Sequence, residues 1–231
     1  MLVIDTETTN GFQNPLVYDV GFAITDNEGK IYEKHSYLIR DIFYNDKLMI
    51  KAYYMRKTPL YVKALKERKT TLTDIEKLQQ IIHSIMIKYK IKEVYAYNAD
   101  FDIKALNNTL KYLTGNYFSQ FFPCDIKICC IWNMACQVIY TQKKYCKYCL
   151  ENNQISPKGN LKTSAEVGQR YLTKNNDFKE EHTGLSDVLI EIQIMTRCYK
   201  THKKMEKGIN PWCWYLPTKK NKKTLDKLKN L

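Results

Sequence analysis

The sequence predicts an α/β fold, a mixed β-sheet flanked by helices, and two patterns carry that expectation. An apolar opening run, Leu2 to Ile4, reads as a buried strand over residues 2–6. Two alternating segments, "LVYDVGFAITD" (16–26) and "IYEKHSYLI" (31–39), read as strands of an antiparallel hairpin, joined through the short Gly-containing turn "NEGK". Helical stretches, one further strand and more helices follow in that order, which is the pattern of a mixed sheet covered by helices rather than of a bundle or a sandwich.

Along the rest of the chain, residues 41–69 read as a helical region broken near Pro59. "TTLTDIEKLQQIIHSIMIKYK" is the clearest helix, with Thr73 and Glu76 as a capping box and Ile75, Leu78, Ile82, Ile85 and Tyr89 as its apolar stripe. His83 in that helix has no partner at ligand spacing and reads as a packing residue. "EVYAYNADFDIKALNNTLKYL" reads as a strand over 93–97, a tight turn, and a helix from about Phe101. Residues 126–139, 143–152, 164–172 and 184–199 are expected to be helical, and 154–163 a small hairpin around Pro157, Lys158 and Gly159. From Lys200 the chain becomes Lys-dense, with only Glu206 and Asp226 as acids, so residues 1–200 are expected to form the domain and 201–231 a basic C-terminal tail.

Composition narrows the function. With 37 basic against 24 acidic residues the net charge is +13, which favours a polyanionic partner, nucleic acid before a membrane surface. A Lys-rich background composition would give the same balance. No apolar run is long enough to span a membrane. The opening has no basic segment before its apolar stretch, so no signal peptide is expected, the location is expected to be cytoplasmic, and the eight cysteines are expected to be free thiols. Six of them fall between Cys124 and Cys149. The single CxxC, Cys146 and Cys149, lies in a helical segment, where cysteines three apart pack as small apolar side chains. One such pair is a weak zinc signal.

Three acidic stretches carry the chemistry. Asp5 and Glu7 sit two apart on the first strand, so both carboxylates face one spot and repel unless a cation lies between them. Asp102 lies in "YNADFD" at the start of a helix that follows a strand. His182 and Asp187 lie in "HTGLSD" near the C-terminus. An Asp in a first helical turn can simply answer the helix dipole, and an Asp on an amphipathic helix can simply face solvent.

Together, "VIDTETT", "NADFD" and "HTGLSD" resemble, in order and spacing, the three motifs of the DEDDh family of 3′-to-5′ exonucleases, which includes polymerase proofreading subunits, ribonuclease T and many phage-encoded nucleases. The match departs in two places. Asn10 separates the paired threonines from Gly11, and Gly184 stands where the family has Ala, a change expected to leave close helix packing intact. Asp100 falls at the variable position of the second motif.

The resemblance implies a ribonuclease H-like fold with a five-stranded mixed sheet and helices on both faces. It assigns metal ligation to Asp5, Glu7, Asp102 and Asp187, the general base to His182, and contact with the terminal nucleotide to Thr8 and Phe101, with Asn98 bracing the turn. The implied cofactors are two divalent cations, Mg²⁺ or Mn²⁺, since hard cations with exchangeable waters take carboxylate oxygens. Two such ions about 4 Å apart activate water and stabilise the leaving 3′ oxygen of a phosphodiester. The expected activity is release of nucleoside monophosphates from a 3′ end, with single-stranded DNA as substrate. RNA trimming by the same residues, a catalytically silent nucleic-acid-binding module and a zinc-organised binding protein are the alternatives. A polymerase or other replication partner fits the family but has no sequence signal of its own.

Overall fold

The computed structural model describes residues 1–229, with side chains through Asp226. Six strands form one sheet in the order β4-β3-β2-β1-β5-β6. β1 (Leu2–Thr9) lies inside it, antiparallel to β2 (Leu16–Thr25) and parallel to β5 (Glu93–Ala96). β3 (Ile31–Ile39) completes the hairpin with β2 and carries the three-residue edge strand β4 (Thr71–Thr73), while β6 (Lys127–Cys130) pairs parallel to β5.

Alternation along β1 and β2 decides how the two faces are covered. Leu2 and Ile4, with Val20, Phe22 and Ile24, pack against Leu78 and Ile82 of α4 (Ile75–Lys88) and Ala105 and Leu106 of α5 (Ala99–Thr114). Val3 and Ala23 point the other way, into a core with Met134 and Ala135 of α6 (Ile131–Val138) and Val188 and Ile192 of α9 (Gly184–Tyr199). Both faces of the inner strands are therefore dry, which explains why β2 is buried along its whole length.

Six strands replace the expected five. The segment "KICC" was expected to be helical because a short apolar run does not distinguish strand from helix. Pairing with β5 makes it β6, and helix α6 begins only at Ile131. The expected capping box of Thr73 and Glu76 is absent: Thr73 belongs to β4, and Asp74 is the N-cap of α4 without a side-chain capping bond. The expected helical region 41–69 is four short pieces, α1 (Arg40–Phe43), α2 (Asp46–Met49), a 3₁₀ turn at Met55–Lys57, and α3 (Thr58–Lys66), whose first turn accommodates Pro59. The region 154–163 is a turn closed by the single bridge Ile155–Leu161.

Helices α7 (Lys143–Glu151) and α8 (Ala165–Thr173) complete the α9 side. Cys146 and Cys149 are free, fully buried thiols within that core, acting as small apolar groups. The Lys-dense segment runs as α10 (Leu216–Lys229), which packs on α6 and α7. Leu225 and Asn221 are buried there, the Asn221 amide donating to the Thr141 carbonyl at 3.2 Å, and Lys219, Lys220, Lys222 and Lys223 are exposed. No helix among the described residues is long and apolar enough to cross a membrane.

One contact sets the position of α9. A Cβ on Gly21 would lie 2.0 Å from the Gly184 carbonyl carbon and 2.1 Å from the Leu185 nitrogen. A Cβ on Gly184 would lie 2.4 Å from the Gly21 nitrogen. The first turn of α9 thus rests on bare strand backbone, and Gly184 keeps the close helix packing expected of a small residue at that position. Gly21→Ala should destabilise the protein by about 1–3 kcal/mol or more, as overpacking a closed core does. Gly208→Ala, where a Cβ meets nothing within 4 Å, is the reference. Urea denaturation of the two variants beside wild type is the check; equal midpoints would contradict the close approach.

Candidate active site

β1, the start of α5 and the start of α9 bring the acidic residues to one end of the sheet. Asp5 and Glu7 share a face of β1, Asp5 half-buried and Glu7 8% exposed. A register shift in the β1–β2 pairing falls between Glu7 and Thr8, ending the regular alternation at the site. Asp102 enters from the first turn of α5, and its Oδ1 accepts from the Thr6 amide at 3.1 Å and the Thr6 hydroxyl at 2.8 Å. Asp100, on the other side of Phe101, is exposed. Backbone rather than side chain braces the β5–α5 turn: the Asn98 carbonyl accepts from the Phe101 amide at 2.8 Å, and the Asn98 side chain makes no capping bond.

The third motif turns sharply before α9. His182 has φ 50°, in the left-handed region, and Thr183 caps the helix in a box with Ser186. Ser186 also donates to Asp187 Oδ1 at 3.2 Å. The His182 ring stacks on Tyr54 with centroids 4.3 Å apart and planes 13° from parallel. Its Nδ1 lies 3.6 Å from Glu180 Oε2 and 3.8 Å from Asp187 Oδ2. Single ligand atoms of Glu7, His182 and Asp187 fall within 4.8 Å of one another, as do those of Glu166, Glu180 and His182. Asp5 and Asp102 stand beside the first of these groups as charged neighbours rather than as members of it.

Burial and mutual repulsion govern the protonation of these carboxyls. Burial, with Asp187 and Asp19 nearby, pushes Glu7 up to about 9. Burial pushes Asp102 up to about 7 despite its bonds from Thr6, and Asp187 up to about 6. Asp5 is held well above the usual carboxylate range by burial and by Glu191, Asp102, Asp187 and Glu7. Burial and then Lys57 hold His182 below its ordinary value. Lys57 is the cation that faces Glu7, Glu180 and Asp187; its ammonium lies 4.4 Å from the Tyr54 ring centroid and donates to the Glu181 carbonyl.

Thr8 and Phe101 are half-buried at the rim. The Phe101 ring lies 6.0 Å from that of Phe12, which is 83% exposed.

Five residues of this region were not singled out from sequence: Asp19, Tyr54, Lys57, Glu180 and Glu191. Asp19 had a signal, an acid within the otherwise apolar strand "LVYDVGFAI". Its Oδ2 accepts from the Tyr61 hydroxyl at 2.9 Å and from the Gly184 amide at 2.8 Å. Glu191 had one too, an acid inside "DVLIEIQIM". The other three come from irregular segments, where no period marks them.

A donor set of oxygens, mutually destabilised as anions and with Lys57 beside it, fits hard divalent cations. The two groups of potential metal-holding residues found among the described residues contain no cysteine, so the CxxC is not assembled with further ligands.

The fold is ribonuclease H-like, a six-stranded mixed sheet with helices on both faces. More particularly, it is similar to Escherichia coli exonuclease I, as seen in the zinc-bound complex of that enzyme with single-stranded DNA (18% identity, TM-score 0.55, 87% of this chain and 40% of that one). The complex of E. coli exonuclease I with a dA16 oligonucleotide matches with 19% identity and TM-score 0.55, over 98% of this chain and 45% of that one. A product-bound exonuclease I gives 19% identity and TM-score 0.55 over 98% and 48%. The chain therefore spans less than half the length of these exonuclease I chains. No family model matches the sequence, and no curated protein is similar to it in sequence.

The raised carboxyls give the metal-free protein a defined pH dependence. Glu7, Asp102 and Asp187 bind protons in the folded state up to about 9, 7 and 6, against ordinary values of 4.5, 3.8 and 3.8. Between about pH 4 and 9 the folded state therefore binds more protons than the unfolded chain, and stability falls as pH rises. His182 has the opposite sign but is one group against several. In EDTA the melting temperature should fall from pH 5 to pH 9, and Mg²⁺ should restore most of the loss at the alkaline end. A flat metal-free profile would contradict the crowding of these acids.

Proposed function

We propose that the chain is a divalent-metal-dependent 3′-to-5′ exonuclease of DEDDh type acting on single-stranded DNA. The observation that carries this reading is the convergence of Asp5, Glu7, Asp102, His182 and Asp187 from three separated motifs at one end of a sheet. The similarity to exonuclease I, whose structures contain single-stranded DNA, supports the choice of substrate.

Asp5, Glu7, Asp102 and Asp187 would hold the two cations, Mg²⁺ or Mn²⁺. When bound, these supply the positive charge that activates water and stabilises the leaving 3′ oxygen. The chain's own residues then have separable tasks. Thr6 fixes the Asp102 carboxylate from two donors, so that oxygen is already oriented. His182 is the general base. The carboxylates of Glu180 and Asp187 near Nδ1 favour the proton there and leave Nε2 free to accept one, and burial with Lys57 nearby holds the ring's pKa below its ordinary value, which favours the neutral form. Tyr54, stacked on the imidazole, restricts its rotation.

Thr8 and Phe101 contact the terminal nucleotide, and the exposed Phe12 beside Phe101 offers a face for a base to stack on. The exposed lysines of α10 add a salt-dependent attraction for the phosphate backbone.

Cleavage of 5′-labelled single-stranded DNA and RNA of matched sequence tests the activity and its substrate together. Stepwise shortening from the 3′ end, dependent on Mg²⁺ or Mn²⁺ and abolished by EDTA, is expected, with DNA degraded faster; RNA degraded faster would move the assignment to an exoribonuclease. Asp102→Asn should abolish cleavage. His182→Ala should lower the rate by about two to four orders of magnitude while metal-dependent thermal stabilisation persists. A His182→Ala enzyme with the wild-type rate at saturating Mn²⁺ would remove His182 from the role of base.

A further inference from the structure

Glu191 is a glutamate in the wrong place for a structural residue. It lies in α9, four residues and one turn beyond Asp187, so the two carboxylates share a helix face. It is 3% exposed, between Ile190 and Ile192, in the half of the molecule where β1 and α9 pack together. Among the described residues nothing hydrogen-bonds its Oε2. A buried carboxylate oxygen with no donor is costly, and a fold keeps one only where something compensates.

No lysine or arginine of the described residues is among its strongest charged neighbours. Burial, with the charged neighbours Asp102, Asp187 and Glu180, raises its pKa well above the ordinary carboxylate range, while the Tyr97 backbone amide acts the other way. In return, Glu191 is the strongest charged neighbour of Asp5. An apolar side chain of the same volume would relieve all of this, as replacement of buried charge often does.

We propose that Glu191 is a fifth carboxylate of the cation site, reaching it from the α9 side one turn beyond Asp187. It acts either as a ligand or through the ion's hydration shell. The inference rests on the metal-dependent reading of the site and adds a residue outside the three motifs. It predicts that Glu191 trades stability of the metal-free chain for affinity toward the metal.

The test uses the full chain stripped of metal and titrated with MnCl₂ alone, read by thermal melting and by the EPR signal of free Mn²⁺. Glu191→Gln and Glu191→Met should each leave the metal-free protein as stable as wild type or more so, and weaken Mn²⁺ binding by about 10–100-fold. Asp5→Asn, run in parallel, should lose the metal-dependent stabilisation. Wild-type Mn²⁺ affinity in both Glu191 variants, with loss in Asp5→Asn, would overturn the role of Glu191 and leave the metal site standing. Wild-type affinity in all three would overturn the metal site itself. Failure of both Glu191 variants to fold would also overturn the proposal, since it would make Glu191 a structural residue.

Discussion

The backbone contact between Gly21 and Gly184 is the constraint on which the site depends. Asp187 is in the first turn of α9, and a helix start held loosely would leave its carboxylate free to move away from β1. With no side chain on either glycine, the helix end meets the strand at backbone distance. Asp19 then locks the arrangement from below. Its Oδ2 accepts the Gly184 amide, one of the donors a helix N-terminus cannot satisfy internally, and Tyr61 fixes the other side of that carboxylate. Two packing residues on β2 therefore determine the geometry of an acid supplied by a helix more than 160 residues later.

That precision is achieved against the electrostatics. The same close approach that fixes Asp187 crowds it against Glu7 and Asp5, and burial removes the water that would screen them. The resulting end of the sheet is destabilised as an anion cluster and stabilised by any cation that fits. Under the proposed metal binding, affinity would be drawn partly from relief of repulsion already present, which links affinity to fold stability. Glu191 extends this logic one turn deeper, into a core that would otherwise be apolar.

What the sequence made legible follows from periodicity and local chemistry. The apolar run of β1, the alternation of β2 and β3, the apolar stripe of α4 and the bounds 184–199 of α9 were readable because each lies in a regular element whose pattern shows on the page. Asp5, Glu7, Asp102, His182 and Asp187 were readable because they sit in short motifs. Two kinds of feature were not. The strands β4 and β6 are three and four residues long and exist through their neighbours β3 and β5, a tertiary fact that no local pattern encodes. Glu191 and Asp19 were visible as acids in apolar runs, but only burial and the absence or identity of partners separates a pin from a ligand.

The residues around His182 show why irregular chain was needed there. Tyr54 and Lys57 come from the broken stretch between β3 and α3, where a continuous helix would have carried them along one rigid face. Short turns instead let the Tyr54 ring lie flat on the imidazole while the Lys57 ammonium sits over the same ring and reaches the Glu181 carbonyl. One segment thus packs against His182, supplies positive charge to lower its pKa, and ties itself to the irregular approach to α9. His182, at positive φ, has no regular neighbour to hold it, so its orientation is imposed from across the site. On the proposed assignment, His182 is positioned by a loop and the acids by the sheet and helix starts, which separates the part of the site that must be rigid from the part that would exchange protons.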